Sequence, residues 1–391
     1  MITNTSYYKV GEKIHFSKML AFIDASERKL PVSWNFYDSI FSSVDVSTLG
    51  RVPLKELYRQ RALQLRDEYD YLILNYSGGS DSGYILKTFI ENGIKLDQVR
   101  VKHPFSLIDK GLHNPTAWST RPENKLSEWD YTVKPDLEWL SKNHPEIKIQ
   151  LIDWLAEGMD QSYFNDELFE GLYAQYFMSN ILRQNNKVID PIEEKLLSQG
   201  KKVASISGVD KPRLDASLDN KVYLEFVDGP IAINPPTIQN STGTEYFYWT
   251  PKMPNLAFEM AYQTLQWYNK NPEHQDILFK DKWKNRYNKR HQIMGDIIRP
   301  VLYPGWDISR FQVDKPPNGV YEDFRPGEYF VETNPEVMKV KEAWKYRYKS
   351  YLDKLDRKLT LPNGELKQVP SVKYYIGNLI PNEQKTGILF M

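Results

Sequence analysis

Two patterns of hydrophobic residues alternate along the first half of the chain, short apolar runs and apolar residues at helical spacing. The run YLILNY (71–76) is short, apolar and bounded by turn residues, which is typical of a buried β-strand. The next stretch, SGYILKTFIENG, carries apolar residues at helical spacing and ends at Gly93, so it predicts a helix with a glycine stop. The same patterns predict strands in DQVRVKHPF, IKIQLIDWL and KKVASISGVD, a hairpin in KVYLEFVDGPIAINP, and helices over 53–70, around DLEWLSKN and over 166–186.

This alternation of strands and helices predicts an α/β fold built on a mostly parallel sheet. Beyond about Thr237 the pattern changes, and we predict a helical C-terminal region with helices near 254–270, 276–298 and 335–357. The predicted parts are an irregular or mixed N-terminal lead-in with a helix, an α/β domain and the helical region, over 1–70, 71–236 and 237–391.

Charge and composition narrow the classes of function. The chain carries 51 basic and 51 acidic residues, and this balance gives no global attraction to nucleic acid or to anionic membrane. No segment approaches the ~18 consecutive apolar residues of a membrane helix. The first residues lack the apolar core of a secretory signal, so the expected location is the cytoplasm.

Cysteine is absent, which excludes disulfides, thiolate zinc sites and any mechanism that passes sulfur or electrons through a protein thiol. The six histidines are scattered without HxH or HxxxH spacing, so a histidine-built metal site is not expected. Magnesium bound by carboxylates remains open.

The hexapeptide SGGSDS (77–82) separates the first predicted strand from the helix that follows it. Its glycines let a ligand approach the backbone, and the start of a helix presents free N–H groups and a positive dipole end. Ser77, Ser80 and Ser82 add hydroxyl donors, and Asp81 offers a hard oxygen ligand for magnesium. These features favour a phosphate-binding loop over an ordinary capped turn. The segment has neither the Walker A pattern nor the GxGxxG fingerprint.

SGGSDS is similar to the PP-loop signature, SGGxDS, of the ATP-pyrophosphatase superfamily, which includes asparagine, GMP and NAD synthetases and tRNA-lysidine synthetase. The motif covers 72–93, the α/β pattern extends the likeness to about residue 210, and the remainder resembles uncharacterised PP-loop proteins of large bacteriophages. The resemblance implies a Rossmann-like sheet that binds ATP and cleaves it between the α and β phosphates. A substrate oxygen attacks the α phosphorus, and a nucleophile, usually an amine, then displaces AMP.

The resemblance also implies roles for individual residues, with ATP and Mg²⁺ as the ligands. Asp81 would bind magnesium and act in catalysis. The pyrophosphate of ATP would be bound by Ser77, Gly78, Gly79, Ser80, Asp81 and Ser82. Adenine would be contacted at the end of the second predicted strand, by Val101, Lys102 and His103.

A second strand–turn, SGVDKPR (207–213), offers the cations that the first loop lacks. Lys211 and Arg213 are candidate catalytic residues because either could offset charge at the α and β phosphates. We therefore predict that one of them lies within a side-chain length of SGGSDS. The alternative is a solvated turn. Asp210, and Glu128 in a long polar connection, are further candidates for contact with substrate.

Two C-terminal segments each have two interpretations. KDKWKNRYNKRH (280–291) has six basic residues with interleaved aromatics, which suits a nucleic-acid face or a helix with one buried side. The tract over 299–316 is dense in aromatics and proline, so it forms either the wall of a substrate pocket or a packed connection.

The missing cysteines disfavour phosphoadenylylsulfate reductases, thiouridine-forming enzymes and cysteine-dependent glutaminases. The expected function is an ATP-dependent synthetase that adenylates a carboxylate or carbonyl substrate for attack by an amine. The alternatives are an enzyme that modifies tRNA or nucleic-acid bases, a non-catalytic nucleotide-binding module and a plain ATP hydrolase. The expected partner is a small-molecule or nucleic-acid substrate and not a membrane, and the oligomeric state stays open. A viral member would act in the host cytoplasm.

Overall fold

The computed structural model describes residues 6–103, 105, 129–153, 191–208, 211–228, 242–279, 294, 297–305, 335–360 and 366–380. Several sequence predictions lie outside these ranges. They are the helix over 166–186, the basic segment 280–291, and the candidate substrate contacts Glu128 and Asp210.

The N-terminal lead-in contains a small antiparallel sheet that the sequence did not predict. Strand β1 (Tyr7–Val10) pairs with β2 (Lys13–His15) and β3 (Val32–Asn35), and helices α1 (Lys18–Arg28) and α2 (Asp38–Phe41) follow β2 and β3. Its core is formed by Tyr8, Val10 and Trp34, which are almost fully buried. Strands of three or four residues are too short to show a clear alternation in sequence.

A five-stranded parallel sheet forms the centre of the molecule, as predicted. Helix α3 (Leu54–Glu68) leads into it, and its strands lie in the order β6-β5-β4-β7-β10. Their bounds are β4 (Tyr71–Asn75), β5 (Gln98–His103), β6 (Lys148–Asp153), β7 (Val203–Ser207) and β10 (Gly243–Tyr246). The α/β class with a Rossmann-like sheet is thereby confirmed.

Buried apolar runs explain why the middle strands could be predicted. Leu72, Ile73 and Leu74 are fully inaccessible in β4, and the neighbouring strands bury Val99 and Ile206 in the same way. Helices flank the sheet strands, namely α4 (Ser80–Glu91), α5 (Lys134–Asn143) and α6 (Pro191–Ser198). The predicted helices after SGGSDS and around DLEWLSKN correspond to α4 and α5.

The predicted boundary at residue 236 needs correction, because the parallel sheet continues past it. Strand β10 pairs with β7, with Gly243 opposite Ala204 and Tyr246 opposite Ser207. Its sequence, GTEY, lacks the apolar run that marks the other strands, so its pairing comes from tertiary packing and not from local pattern.

The first half of the hairpin predicted from KVYLEFVDGPIAINP is a strand that pairs with an earlier one, and the second half, from residue 229, lies outside the described residues. Strand β8 (Arg213–Ala216) pairs with β9 (Lys221–Glu225) across a turn at 217–220, and β11 (Tyr374–Asn378) adds to β9 to complete a third sheet. Asn220 has a φ of 63° in this turn, a conformation that asparagine tolerates well.

The C-terminal part combines helices with the two late strands. In chain order, the described helices here are α7 (Pro254–Lys270), a 3₁₀ helix (Pro272–Leu278), a helical segment at 297–302 and α8 (Pro335–Leu352). Strand β11 ties this region to the third sheet, so the description of 237–391 as helical is incomplete. In the part of the chain that the structure describes, no helix is both long and apolar enough to cross a membrane.

Candidate functional site

The order of the sheet strands brings two loops together. Strands β5 and β6 lie on one side of β4, and the later strands β7 and β10 lie on its other side. The strand order therefore reverses between β4 and β7, which pair in parallel with Leu74 opposite Ile206. Open α/β sheets bind ligands in the crevice at the carboxyl ends of such a strand pair. SGGSDS follows β4, and the loop that contains Lys211 follows β7.

The SGGSDS loop has a geometry that requires glycine. Gly78 has a φ of +73°, and a Cβ at this position would lie 2.7 Å from a methyl carbon of Val133 and 2.8 Å from the Thr132 hydroxyl. Both contacts come from a π-helical turn, Trp129–Val133, that precedes α5. A side chain at Gly208 would likewise approach the backbone of Asp81 to 3.1 Å. Neighbouring elements therefore hold the loop closely on two sides.

The hydrogen bonds within the loop leave several backbone N–H donors at the start of α4 without an acceptor among the described residues. The Ser77 amide donates to Ser82 Oγ at 3.2 Å, and the hydroxyl oxygens of Ser77 and Ser82 also lie 3.2 Å apart. Helix α4 begins at Ser80 without a side-chain cap. The first N–H groups of a helix have no intrahelical acceptor, and those of Ser80, Asp81 and Ser82 meet no backbone or side-chain acceptor among the described residues. Such a strand–loop–helix junction is suited to binding an anion.

The carboxylate of Asp81 is held by groups from two distant parts of the chain. The Lys211 ammonium donates to its two oxygens at 2.7 and 2.8 Å, and the Tyr303 hydroxyl donates to Oδ1. The side chains of Lys211 and Asp81 are 14% and 27% exposed, so their charges are partly shielded from water. The prediction that a cation from 207–213 lies beside SGGSDS is confirmed for Lys211.

Arg213 has a contact in a different part of the chain. It is the first residue of β8, and its guanidinium donates to Gln368 at 3.3 Å in an exposed position. Because the chain turns into β8 at Arg213, this side chain belongs to the third sheet and not to the loop. The catalytic role that the sequence suggested for Arg213 has no support in this geometry.

The predicted adenine contacts lie at the carboxyl end of β5, beside the loop. The amide of Tyr76 donates to the Arg100 carbonyl at 2.8 Å, so 101–103 extend past the start of SGGSDS on the neighbouring strand. Val101 is buried, whereas Lys102 and His103 are partly exposed. The His103 ring stacks at 5.8 Å on Trp129, which places aromatic groups at this strand end.

Two tyrosines at the site were missed in the sequence. The Tyr248 hydroxyl donates to the backbone carbonyl of Asp81 at 2.9 Å, and Tyr303 contacts its carboxylate. Both rings belong to a buried cluster with Tyr58 and Tyr84, whose neighbouring centroids are 5.2 to 5.8 Å apart. Burial raises the pKa of Tyr248 and of Tyr303 well above the ordinary tyrosine value, so both hydroxyls stay protonated donors. The aromatic tract over 299–316 was a sequence signal for Tyr303, and Tyr248 had none.

The residues at the loop fit magnesium only as a partner of phosphate. No group of three histidine or carboxylate side chains within the described ranges could hold a metal ion by itself. Mg²⁺ often needs only one or two protein carboxylates when phosphate oxygens supply other ligands. Asp81 can provide one such ligand, once Lys211 releases it.

The fold and the loop define an α/β protein whose loop lies at a reversal of strand order, the place where open α/β sheets bind ligands. Comparison with protein-family models, curated proteins and solved structures found no match to this chain. The interpretation of the site therefore depends on its own geometry and on the sequence of the hexapeptide.

Proposed function

We propose that the protein is an ATP-dependent adenylating enzyme. It would cleave ATP to AMP and pyrophosphate and activate a carboxylate or carbonyl substrate for attack by an amine. The observation that supports this most is the meeting of SGGSDS and Lys211 at the carboxyl ends of β4 and β7. Backbone N–H groups, serine hydroxyls and one ammonium are the groups that a pyrophosphate leaving group requires.

The chemistry places negative charge where the loop can stabilise it. A substrate oxygen attacks the α phosphorus, the bond from that phosphorus to the α–β bridging oxygen breaks, and the electron pair leaves with pyrophosphate. The free N–H groups at the start of α4 and the ammonium of Lys211 stabilise the growing charge. The amine nitrogen then bonds to the activated carbon, AMP leaves with the electrons of the carbon–oxygen bond, and the amine loses its proton to water.

Asp81 and Lys211 exchange partners in this account. Lys211 neutralises Asp81, and a triphosphate brings about four negative charges that compete for the same ammonium. Asp81, freed from Lys211, would then hold the magnesium that accompanies the nucleotide, which when bound neutralises phosphate charge. The hydroxyl of Tyr303 keeps the carboxylate oriented during this exchange.

The experiment incubates the full chain with ATP, magnesium and a pool of metabolite acids and amines, and it resolves AMP, ADP and pyrophosphate. Equal amounts of AMP and pyrophosphate are expected, whereas ADP and phosphate would identify an ATP hydrolase. Asp81→Asn and Ser77→Ala should each lower ATP turnover ~100-fold or more with little change in melting temperature. Asp67→Asn, at an exposed position on α3, is the matched control and should behave like the wild type.

A further inference from the structure

A cavity of about 630 Å³ lies beside the SGGSDS loop, between α4 and α5. Its volume is within the range of about 300 to 1,000 Å³ that is usual for small-molecule sites. One end is bordered by Gly78 and Thr132 at the loop, and the lining continues along α4 from Gly83 to Ile90. At 1.5 Å of helical rise per residue, this distance is about 10 Å. A ligand that fills the cavity would therefore contact the loop with one end.

The described walls of the cavity carry large apolar side chains from both helices. The aliphatic and aromatic members of the lining are Leu86, Ile90, Pro135 and Trp139. Trp139 is 49% exposed, which is high for an indole and leaves much of its apolar surface in contact with water. A ligand that covers this ring removes apolar surface from water, and that burial favours binding.

The charged side chains of the cavity are held by other groups of the protein. Those of the described lining are Lys87, Glu91 and Asp136. Lys87 Nζ lies 3.7 Å from Glu91 Oε1, and Lys55 Nζ lies 3.4 Å from Glu91 Oε2. The Asp136 carboxylate accepts a hydrogen bond from the Tyr76 hydroxyl. A charged ligand group of either sign would compete with these contacts, whereas an uncharged body leaves them in place.

We propose that this cavity binds the uncharged aromatic or aliphatic body of a small molecule. The body packs between Leu86 of α4 and Trp139 of α5, and the binding itself needs no nucleotide. Its use to hold the body of the substrate that becomes adenylated rests on the proposed function, because the cavity borders Gly78 of the loop where the adenylate would form.

A series of neutral alcohols tests the proposal by calorimetric titration of the full chain without nucleotide. The probes are benzyl alcohol, 2-phenylethanol, 3-phenylpropanol and 4-phenylbutanol, which differ only in the number of methylene groups. We expect one binding site and an affinity that rises about fourfold with each methylene, the gain for a fully buried group. An affinity that does not rise along the series would overturn the proposal, as would the failure of all four alcohols to bind.

Two charged analogues test whether the body is uncharged. They are 3-phenylpropylamine and 4-phenylbutyrate, which share the phenylpropyl body of 3-phenylpropanol and differ from it in charge. Both should bind about threefold or more weakly than the alcohol, because each charge must compete with the ion pair of Lys87 and Glu91 or with the hydrogen bond to Asp136. An analogue of either charge that binds more tightly than the alcohol would contradict the proposal.

A substitution on α5 locates the interaction. Trp139→Ala removes the indole from the wall and should weaken the binding of 4-phenylbutanol about tenfold. The melting temperature should change little, because the side chain is half-exposed. Tyr346→Ala, which removes an exposed aromatic ring outside the lining, is the matched control and should have no effect. Equal affinity of Trp139→Ala and wild type for the alcohol would refute the placement of the body at Trp139.

The outcomes separate this proposal from the adenylation chemistry. Alcohol binding that depends on Trp139, in a chain that forms no AMP, would support the cavity and contradict the proposed function. AMP and pyrophosphate formation without alcohol binding would support the proposed function and contradict the cavity.

Discussion

Lys211 and Arg213 lie two positions apart in sequence but have different surroundings. Lys211 contacts the carboxylate of Asp81, whereas Arg213 opens β8 and faces Gln368. The sequence predicted that a cation would be needed beside SGGSDS, because the loop itself has none. It could not choose between the two candidates, since that choice depends on where the chain turns into the third sheet.

Lys211→Ala should weaken pyrophosphate binding by about 1.5 to 3 kcal/mol, the range for a hydrogen bond to a charged group. Arg213→Ala is the matched control, and it should stay close to wild type because its guanidinium is directed to Gln368. Calorimetric titration with magnesium pyrophosphate measures both variants. Similar losses in the two variants would contradict the assignment of Lys211.

Tyr303→Phe should lower ATP turnover about tenfold, because it removes the hydroxyl that orients Asp81 but keeps the buried ring. A change in the magnesium concentration needed for half-maximal rate should accompany this loss, which a purely structural role would not produce. Tyr58→Phe is the control from the same cluster, since its hydroxyl donates to the Leu302 carbonyl and not to Asp81. Equal magnesium dependence in Tyr303→Phe and Tyr58→Phe would refute the positioning role.

At the scale of elements, the junction between β4 and α4 depends on its contact with the π-helical turn that precedes α5. Gly78 and Gly93 both have positive φ, of 73° and 62°, but only Gly78 lacks space for a Cβ. The left-handed backbone should cost alanine about 1 to 2 kcal/mol of stability at either position. Gly78→Ala adds a collision with Val133 and Thr132, so it should lose clearly more stability in urea unfolding than Gly93→Ala. Equal losses would show that the π-helical turn does not confine the loop.

The tyrosine cluster contains residues of α3 and α4, one residue after β10 and one residue after the helical segment at 297–302. It should make stability sensitive to high pH. Burial raises the pKa of Tyr84 to about 12 from an ordinary value of 10.0. Below pH 10 its hydroxyl is protonated in both folded and unfolded chains. Between about pH 10 and 12 only the unfolded chain loses the proton, so the free energy of unfolding falls as pH rises.

Tyr84→Phe should remove part of this fall, about 1.4 kcal/mol for each pH unit between 10 and 12. Urea unfolding at several pH values in this range compares the slopes of the variant and the wild type. Tyr346→Phe, at a residue that is 83% exposed on α8, is the control. Identical slopes for Tyr84→Phe and wild type would contradict the effect of burial.

Elements with a strong local pattern could be predicted, and those held by tertiary contacts could not. Strands β4 and β7 carry apolar runs, and α4 has helical spacing with a clear start and stop. Strand β10, with the sequence GTEY, and the short strands of the N-terminal sheet have no such signal. The pairing of β10 is set by β7, which lies far earlier in the sequence, and the N-terminal strands are too short to show an alternation.

For the whole molecule, the sequence predicted the class of fold and one half of the candidate site. The hexapeptide after β4 and the later cation at Lys211 could be proposed from strand–turn patterns. Tyr248 and Tyr303 could not, because they reach Asp81 only through the packing of the C-terminal part on the sheet. The division at residue 236 failed for the same reason, since the sheet continues past it with the edge strand β10.

The exchange of labelled pyrophosphate into ATP tests the central claim most directly, because exchange requires reversible cleavage between the α and β phosphates. The full chain is incubated with ATP, magnesium, ³²P-pyrophosphate and a pool of metabolite acids. We predict that label enters ATP with wild type and with Arg213→Ala, and that exchange falls strongly in Lys211→Ala and Asp81→Asn. Release of ADP and phosphate without entry of label into ATP would contradict the account.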